Sequence, residues 1–537
     1  MAIELSTITF TDQDDIVSAS GAEGIVNTGI ANTLAGDDMI TGILGSGYYN
    51  FFNYGTFNMG EGNDIITGRS YISNTDTFNM GEGNDIITGT GGGIYISNTG
   101  TFNMGEGNDI ITGTGGGSSI SNSGTFNMDE GNDIISIVQG TTVAIFNYGT
   151  FNTGEGNDII TAEGSSFGIQ NSFITNFNDV DGNHTINTGD GNDTINASGN
   201  NYGIYNTGLI NTGNGKDTII ANGGTYNEGN GIQNIFTINT GEDDDIITGN
   251  GGIDNVGYID SGDGDDIITG NLSSSNRSSM GYVALRNFNV IETGEGNDII
   301  TTATYFYNEE GIIKTRTSIS NYGTINTGNG QDSINSVGKV TNRGVVFLGD
   351  GDDSIVVSIV AEEGFLNRAL ENFNAIETGD GNDIITSTGV IYNEGIITTG
   401  NGDDSIIVDG SVDGITGTVY GIYNNGGAII TGDGNDSIIA NEGFESAPNS
   451  SGAWFLGEGD DYIKGFGNGD FYGGNGNDTL ELTPGTYTVG IWGEAGESPI
   501  FTKGNQLMIT SEFEKLKAGG TTYNFTSLTA GQTIVVA

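Results

Sequence analysis

The sequence predicts an all-β fold: a right-handed parallel β-helix (β-solenoid) of about 19 three-sided coils, followed by a small β-rich C-terminal cap. The first observation behind this prediction is a repeated loop. The stretch TFNMGEGNDIITG occupies residues 56–68 and returns unchanged at 77–89 and 101–113. Related loops, aligned on their last acidic residue, occur eighteen times, and a degenerate nineteenth without glycines ends at Asp15. We call this last acidic residue the anchor.

The second observation is that apolar residues form columns when the repeats are aligned on the anchor. The second residue after the anchor is Ile in seventeen repeats and Leu480 in the last. The seventh residue before it is Phe57, Phe78 or an equivalent Phe, Ile or Val, and the fifth is Met and later mostly Thr. Columns two residues apart lie on one face of a strand. Each repeat therefore predicts three short strands, one for each side of a coil.

The third observation is an asparagine eleven residues before the anchor. It is present in fifteen of the eighteen repeats: Asn27, Asn53, Asn74, Asn98, Asn122, Asn147, Asn206, Asn234, Asn255, Asn287, Asn321, Asn342, Asn372, Asn393 and Asn425. We predict that these side chains point inward at a corner and form a ladder of amide hydrogen bonds, although the turn propensity of Asn is an alternative reason for the column. Length variation is expected at one corner only, between the third strand and the next first strand. The crossover between parallel strands favours a right-handed coil.

The composition restricts the classes of function. Acidic residues number 69 against 13 basic ones, so the formal net charge is −56, and there is no Cys. A chain this acidic is not expected to bind nucleic acid or to enter a membrane. The first ten residues carry no signal-peptide pattern, and no run reaches the roughly 18 apolar residues of a membrane span.

The loop itself predicts a metal site. Its glycines permit positive φ, so that successive carbonyl oxygens can turn toward one small space, and the anchor adds a carboxylate. Oxygen ligands of this kind suit a hard cation, above all Ca²⁺. Because the coils stack, the loops stack as well, and the sequence predicts several Ca²⁺ ions in one row along one edge of the solenoid. Such a row would offset part of the net charge of −56.

The stretches GEGNDII, GDGDDII and GGNGNDTL resemble the glycine- and aspartate-rich repeat of the RTX (hemolysin-type calcium-binding) family. The resemblance covers about residues 30–480, through the loops only, and implies that loop carbonyls and the anchor hold calcium. Family repeats run in tandem every nine residues, whereas this chain has one loop per coil and hence one expected row of ions. The implied metal-binding residues are Asp38, Gly60, Gly62, Asp64, Gly81, Gly83, Asp85, Gly105, Gly107, Asp109, Asp133, Gly154, Gly156, Asp158, Gly189, Gly191, Asp193, Asp217, Asp245, Gly262, Gly264, Asp266, Gly294, Gly296, Asp298, Asp332, Gly349, Gly351, Asp353, Gly379, Gly381, Asp383, Asp404, Gly432, Gly434, Asp436, Gly457, Gly459, Asp461, Gly474, Gly476 and Asp478.

Three regions are expected along the chain. Residues 1–20 form an N-terminal capping coil, in which Ile8 and Val17 match the apolar columns; residues 21–480 form the calcium-binding solenoid; residues 481–537 form a C-terminal cap. In the cap, TYTVGIWG, NQLMIT and TTYNF indicate strands and SEFEKLKAGG a short helix or turn. The RTX resemblance implies export by a type I secretion machine that reads an uncleaved C-terminal segment, here FTSLTAGQTIVVA. We therefore expect a secreted protein, extracellular or at the cell surface.

The leading function is a calcium-dependent structural or adhesive solenoid that assembles into fibres, sheets or matrix. Its expected partners are copies of itself or an extracellular polysaccharide, and a homo-oligomer or filament is expected. The residue after the anchor points away from the core and is an apolar column over five successive coils: Ile65, Ile86, Ile110, Ile134 and Ile159. A contiguous apolar stripe of this kind is typical of an interaction surface.

Two alternatives stay open. A polysaccharide-binding or polysaccharide-cleaving β-helix would use basic residues, and seven of the thirteen cluster: Arg277, Arg286, Lys314, Arg316, Lys339, Arg343 and Arg368. They occupy different columns, which favours salt bridges over a single site, and His184 is the one histidine, so no enzyme is expected. An ice-binding solenoid would use the outward column of Thr67, Thr88, Thr112 and Thr161.

Overall fold

The computed structural model describes residues 2–19, 24–42, 49–68, 70–89, 93–172, 183–224, 229–272, 283–304, 307–309, 312–314, 316–360, 367–410, 420–447, 452–492 and 498–537. The chain divides into two units, Met1–Ser279 and Met280–Ala537. Each unit is a parallel β-helix whose repeating coils contribute one strand to each of three faces, as the sequence predicts; among the described residues the first coil has no second-face strand and the coil of Asp478 has no first-face strand. In the described residues the only helical turns are the 3₁₀ segments Leu5–Thr7 and Phe525–Ser527, and no helix there is long and apolar enough to cross a membrane.

In the first unit the three faces follow the order of strands in a coil. The first face contains Ile3–Glu4, Ile25–Asn27, Tyr49–Asn53, Ser70–Asn74, Tyr95–Asn98, Ser119–Asn122, Val143–Asn147, Phe167–Asn171, Tyr202–Asn206, Ile232–Asn234 and Ile253–Asn255. The second face contains Ile30–Asn32, Thr56–Glu61, Thr77–Glu82, Thr101–Asn103, Thr125–Asn127, Thr150–Asn152, Thr185–Asn187, Leu209–Asn211, Thr237–Asn239 and Tyr258–Asp260. The third face contains Ile16–Ala19, Met39–Gly42, Ile65–Gly68, Ile86–Gly89, Ile110–Thr114, Ile134–Val138, Ile159–Glu163, Thr194–Ser198, Thr218–Asn222, Ile246–Asn250 and Ile267–Asn271.

The second unit repeats this plan. Its first face contains Leu285–Asn287, Thr317–Asn321, Lys339–Asn342, Arg368–Asn372, Val390–Asn393, Ile422–Asn424 and Phe444–Glu445. Its second face contains Val290–Glu292, Thr324–Asn326, Val345–Asp350, Ala375–Asp380, Ile396–Thr398, Ala428–Asp433, Ala453–Glu458 and Gly469–Asn475. Its third face contains Ile299–Ala303, Ser333–Val337, Ser354–Ser358, Ile384–Ser387, Ser405–Val408, Ser437–Ala440, Tyr462–Lys464 and Thr479–Glu481. An antiparallel hairpin, Tyr307–Glu309 with Ile312–Lys314, branches from the variable corner.

The strand register aligns the columns that the sequence predicts. Phe78 lies opposite Phe57 and Phe102 on the second face, and Ile87 lies opposite Ile66 and Ile111 on the third. These side chains are fully buried, and the rings of Phe78 and Phe102 stack with centroids 4.6 Å apart. Burying each such side chain stabilises the coil by about 2 kcal/mol. The core of each unit is therefore a set of continuous apolar columns, so each coil depends on its neighbours.

The asparagine ladder is confirmed at the corner between the first and second faces. The Nδ2 of Asn98 donates to Oδ1 of Asn122 over 2.8 Å and to the carbonyl oxygen of Thr125 over 2.7 Å. Equivalent bonds connect Asn27 through Asn255 in the first unit and Asn287 through Asn424 in the second. Every rung is buried. The ladder satisfies backbone carbonyls that turn away from the sheets.

Two details of the predicted ladder are wrong. Asn424, not Asn425, is the rung of its coil, because the following turn Asn425-Gly426-Gly427 is one residue longer. Asn171 is a further rung, 22 residues before its anchor, because that coil carries its insertion between the first and second faces. Length variation is therefore not restricted to one corner.

The ends of the chain depart from the repeat. Val17 is in the core as predicted, but Ile8 is 36% exposed, and Leu5 and Phe10 fill the first coil instead. In the cap, SEFEKLKAGG forms no helix: Lys515–Ala518 is a strand that pairs in parallel with Thr479–Glu481 on the third face. Gln506–Ser511 likewise continues the second face beside Gly469–Asn475. Four antiparallel strands complete the cap: Gly485–Trp492, Ser498–Lys503, Thr521–Asn524 and Thr533–Val536.

Candidate metal centre

The G-x-G-x-D loops lie at the corner between the second and third faces. All the glycines that the sequence analysis assigns to metal sites have positive φ, between 87° and 156°. A Cβ built on Gly81 would lie 1.7 Å from the carbonyl oxygen of Gly60, and one on Gly83 would lie 1.6 Å from that of Gly62. The loops therefore stack so closely that no side chain fits at either position.

The stack imposes this conformation even where glycine is missing. Leu34, Asp129 and Asp243 have positive φ values of 84°, 71° and 84°. The carbonyl oxygen of Leu34 lies beneath Gly60, and that of Asp129 beneath Gly154, as a glycine carbonyl does in the other coils. Positive φ is uncommon for such residues, so contacts between coils determine the loop geometry.

The anchors form a second ladder, which we call the aspartate ladder. In the first unit each main-chain N–H donates to Oδ1 of the next anchor, over 2.7 to 2.8 Å, from Asp15 through Asp38 and onward to Asp266. In the second unit the same bonds run from Asp298 to Asp478. Every anchor after Asp15 is buried. Each unit therefore has one column of carboxylates along one corner.

The second carboxylate oxygen is the unusual feature of this ladder. In sixteen anchors Oδ2 is buried and has no hydrogen-bond donor: Asp38, Asp64, Asp85, Asp109, Asp133, Asp158, Asp193, Asp217, Asp245, Asp332, Asp353, Asp383, Asp404, Asp436, Asp461 and Asp478. Asp298 differs, because the hydroxyl of Thr293 donates to its Oδ2 over 2.6 Å. A buried carboxylate oxygen without a donor is costly, so it needs a proton or a cation.

Burial raises the pKa of these carboxylates. It raises the pKa of Asp64, Asp85 and Asp109 to about 7 and that of Asp133 to about 8, where the inward residue five positions earlier is Met. The same position holds Thr212 before Asp217 and Thr378 before Asp383. There burial raises the pKa to about 6, and the nearby hydroxyl lowers it in part. The hydroxyl alone does not decide the value, because burial raises the pKa of Asp193, Asp245 and Asp404 to about 7 with Thr at the same position. The hydroxyls of Thr212 and Thr378 donate to main-chain carbonyls, and Oδ2 stays without a donor.

The donor set at this corner fits a hard divalent cation. It combines anionic Oδ2 atoms with the main-chain carbonyls of the glycine loops, all of which are oxygen ligands. In the described part of the chain, no group of three or more acidic or histidine side chains is placed to hold a metal ion.

The outer surface of the second face carries an array that the sequence analysis missed. In the first unit Thr77 lies beside Thr56 and Thr101, and Asn79 lies beside Asn58 and Asn103. We call these two columns, which run over Thr56–Asn58, Thr77–Asn79, Thr101–Asn103, Thr125–Asn127, Thr150–Asn152 and Thr185–Asn187, the Thr–Asn array. Nδ2 of Asn79 donates to Oδ1 of Asn58 over 2.7 Å. The repeated TFN and TIN stretches are the signal that could have revealed this array.

The outer surface of the third face is more apolar. Ile65, Ile86, Ile110 and Ile134 are half-buried and in register, and Ile159 is 41% exposed. Thr88 and Thr112 form the neighbouring column, with 3.0 Å between their hydroxyls. The apolar stripe that the sequence predicts is thus present on the outer surface of the described coils.

The basic cluster separates into local pairs. Lys339 and Arg368 both contact Glu371, at 2.6 and 3.4 Å. The guanidinium of Arg343 lies over the rings of Tyr322 and Phe373, 5.6 and 4.7 Å from their centroids. Arg277 lies outside the described residues, and only the backbone of Lys314 is described. His184 is buried. These contacts agree with the expectation of salt bridges and pairings within the surface.

No protein-family model matches the chain. No curated protein matches it either. Among solved structures it is similar to a hyperactive, Ca²⁺-dependent, β-helical antifreeze protein from an Antarctic bacterium, with 16% sequence identity and a TM-score of 0.28. That likeness covers 81% of this chain and 82% of the other.

Proposed function

We propose that this protein is a secreted, calcium-dependent structural or adhesive β-solenoid without enzymatic activity. The observation that carries the proposal is the column of buried anchor carboxylates, sixteen of which have one oxygen that lacks a donor. One row of Ca²⁺ ions along the loop corner would satisfy these oxygens. Cations would also screen a chain whose formal net charge is −56.

In the folded chain without metal, ionised anchors would repel one another, because successive carboxylates lie one coil apart along a single corner. Folding without a cation requires protons on many rungs at neutral pH. In a calcium-rich medium the ionised form is the binding form, so the same residues that oppose folding without calcium promote it in calcium.

The test is a calcium titration of the full chain followed by circular dichroism. At pH 8, the chelated protein should be largely unordered and should gain β signal as Ca²⁺ rises toward ~0.1–1 mM, the range of extracellular modules. Mg²⁺ at the same concentration is the control, because it prefers a rigid octahedral site and keeps its waters. A chelated protein with full β signal at pH 8 would refute the proposal.

We propose further that copies of the protein associate laterally through the third face. The Ile65-to-Ile159 column is uncharged, in register and accessible in the described coils. On so acidic a molecule, an uncharged strip is a place where two copies can approach without direct charge repulsion. This arrangement would give the fibres, sheets or matrix of an extracellular scaffold.

Ice binding is the second candidate function, and the Thr–Asn array favours it. Its hydroxyl and amide groups repeat at the strand spacing of about 4.8 Å between coils and about 6.7 Å along a strand. The array is uncharged, and the ladder from Asn152 to Asn58 fixes the orientation of its amides. A rigid, periodic and uncharged hydrogen-bonding surface fits a partner that is itself a lattice of water.

A thermal-hysteresis assay separates the two candidates. An ice binder in calcium should depress the freezing point below the melting point, and Thr101→Lys with Thr125→Lys should abolish the effect. Ile86→Lys with Ile110→Lys on the third face is the matched control, because it adds the same charge to another side of the same coils. No hysteresis in the calcium-loaded parent protein would exclude ice binding and leave the scaffold proposal.

A further inference from the structure

The last rung of the aspartate ladder belongs to the C-terminal cap. The main-chain N–H of Asp478 donates to Oε2 of Glu514 over 2.7 Å, where other coils use the next anchor. The N–H of Lys515 donates back to the carbonyl oxygen of Asp478 over 2.9 Å, which reproduces the bond between successive coils. Glu514 therefore takes the place of an anchor, although no glycine loop precedes it in the sequence.

The cap segment crosses the same corner with a shorter loop than the repeats. Glu512 has a positive φ of 62°, below the values of the loop glycines, and it follows Ser511, which pairs with Tyr472 on the second face. Its carbonyl oxygen projects toward Gly473, the position that holds Met or Thr in most other coils. A Cβ on Gly473 would lie 2.0 Å from the carbonyl oxygen of Glu512 and 2.7 Å from Oδ2 of Asp478. Because Gly473 has no side chain, the carbonyl oxygen of Glu512 and Oδ2 of Asp478 can both lie beside it.

The carbonyl oxygen of Glu512 and Oδ2 of Asp478 thus lie on the same side of Gly473. Asp478 is fully buried, and its Oδ2 has no partner. The carboxylate of Glu514 is adjacent, held through one of its oxygens by the N–H of Asp478. Glu512 and Glu514 are exposed, so the junction lies at the edge of the core, where neighbouring carboxylates repel each other unless a positive charge lies between them.

We propose that this junction is a cation site formed by Oδ2 of Asp478, the main-chain oxygen of Glu512 and the carboxylate of Glu514, and that its occupancy docks the cap onto the solenoid. The inference rests on the proposed calcium dependence and extends it to residues outside the repeats. Under this proposal, calcium controls the contact between the cap and the last coil of the repeats. In calcium the second and third faces continue into Gln506–Ser511 and Lys515–Ala518; in chelator this cap coil separates.

The experiment is hydrogen exchange of the full chain at pH 7.5, with and without 2 mM (roughly the upper extracellular range) Ca²⁺. Two regions are followed: residues 506–518 in the cap and residues 101–113 in the repeats. In the parent protein, calcium should slow exchange in both. In Glu514→Gln, the cap should need at least about ten-fold more calcium for the same protection, while the repeat responds as in the parent. Glu512→Gln is the matched control for charge, because it removes one negative charge near Asp478 and keeps the main-chain oxygen that enters the proposed site.

The outcomes are distinguishable. A cap that is protected in chelator while the repeats are not would overturn the junction site and leave the proposed function standing. Equal effects of Glu514→Gln and Glu512→Gln would also overturn it, since only net charge would then matter. If the cap is protected in chelator at pH 5 and calcium adds nothing at pH 7.5, a proton on Asp478 fills the site instead. If neither region responds to calcium, the proposed function itself fails.

Discussion

The main-chain N–H of Asp109 donates a 2.7 Å hydrogen bond to Oδ1 of Asp133, one coil further along, and leaves Oδ2 of Asp133 buried without a donor. This one contact couples the backbone of a coil to the charge state of the next. It therefore predicts how the solenoid responds to metal, pH and mutation.

Replacing a single anchor with its amide should remove the need for a cation at that rung. Asp109→Asn keeps Oδ1 as the acceptor for Asp85 and places a neutral amide where Oδ2 lies. In chelator at pH 8 the variant should be more stable than the parent by about 1–3 kcal/mol, because no buried charge is left without compensation. The measurement is the β signal by circular dichroism in chelator as the pH is raised toward 8, which the variant should keep to a higher pH than the parent. Glu106→Gln, on the exposed side of the same loop, should change little; an equal gain there would point to net charge alone.

The stability of the metal-free protein should fall as the pH rises. Burial raises the folded-state pKa of Asp64, Asp85 and Asp109 from 3.8 to about 7, so protons bind the folded form more tightly. Their contribution is complete below pH 4 and is lost as the pH rises through 7. In calcium the stability should instead rise with pH, because protons compete with the cation for the carboxylates. Thermal melts in chelator and in calcium between pH 4.5 and pH 8 (roughly the span of these pKa values) provide the check. Parallel curves in the two conditions would contradict a shared carboxylate site.

Thr293 should lessen the calcium requirement of its own rung. Its hydroxyl donates to Oδ2 of Asp298, so Thr293→Val leaves that oxygen without this donor. The variant should lose about 1–2 kcal/mol in chelator and recover most of it in calcium. Ser387→Ala is the control, since the buried hydroxyl of Ser387 donates to the main-chain carbonyl of Gly389 and the bond should be lost equally in both conditions. The measurements are the pH at which each variant loses its β signal in chelator, and urea unfolding in calcium.

A buried rung of the amide ladder should tolerate no charge. Asn122→Asp removes the donor to Asn147 and to the carbonyl of Thr150 and buries a carboxylate beside acceptors. We expect a loss of more than about 3 kcal/mol. Asn127→Asp, in the Thr–Asn array of the same coil, is half-buried at the surface and should cost less than about 1 kcal/mol. Similar losses at both positions would mean that the buried ladder has no special role.

Lysine on the third face should prevent lateral assembly. Ile86, Ile110 and Ile134 lie in register, so their joint replacement by Lys places three like charges on the proposed interface. Light scattering in calcium should show large particles for the parent and monomers for the triple variant. Lysines at Thr77, Thr101 and Thr125 provide the control on the second face. A strictly monomeric parent at high concentration would remove this face as an interface.

The sequence was sufficient to predict the coil, because side chains alternate every two residues along a strand and equivalent residues of neighbouring coils pack against each other. Phe78 could be placed over Phe57 from spacing alone, and the structure places it there. The rung at Asn171 could not be predicted from spacing, since an insertion places Asn171 22 residues before its anchor. Glu514 was also missed, because no glycine loop precedes it and its likeness to an anchor lies only in its contact with Asp478. Spacing therefore predicts what neighbouring coils repeat, and fails where a unique contact replaces the repeat.

Within each unit, the two ladders repeat the same bonds from one coil to the next. A coil can consequently be duplicated or deleted as a whole, because the coils on either side of it can form the same hydrogen bonds with each other. The three identical stretches at 56–68, 77–89 and 101–113 are what such copying would leave in a chain. Gene duplication can then change the length of such a solenoid one coil at a time, while the first coil and the cap that contains Glu514 are kept at its ends.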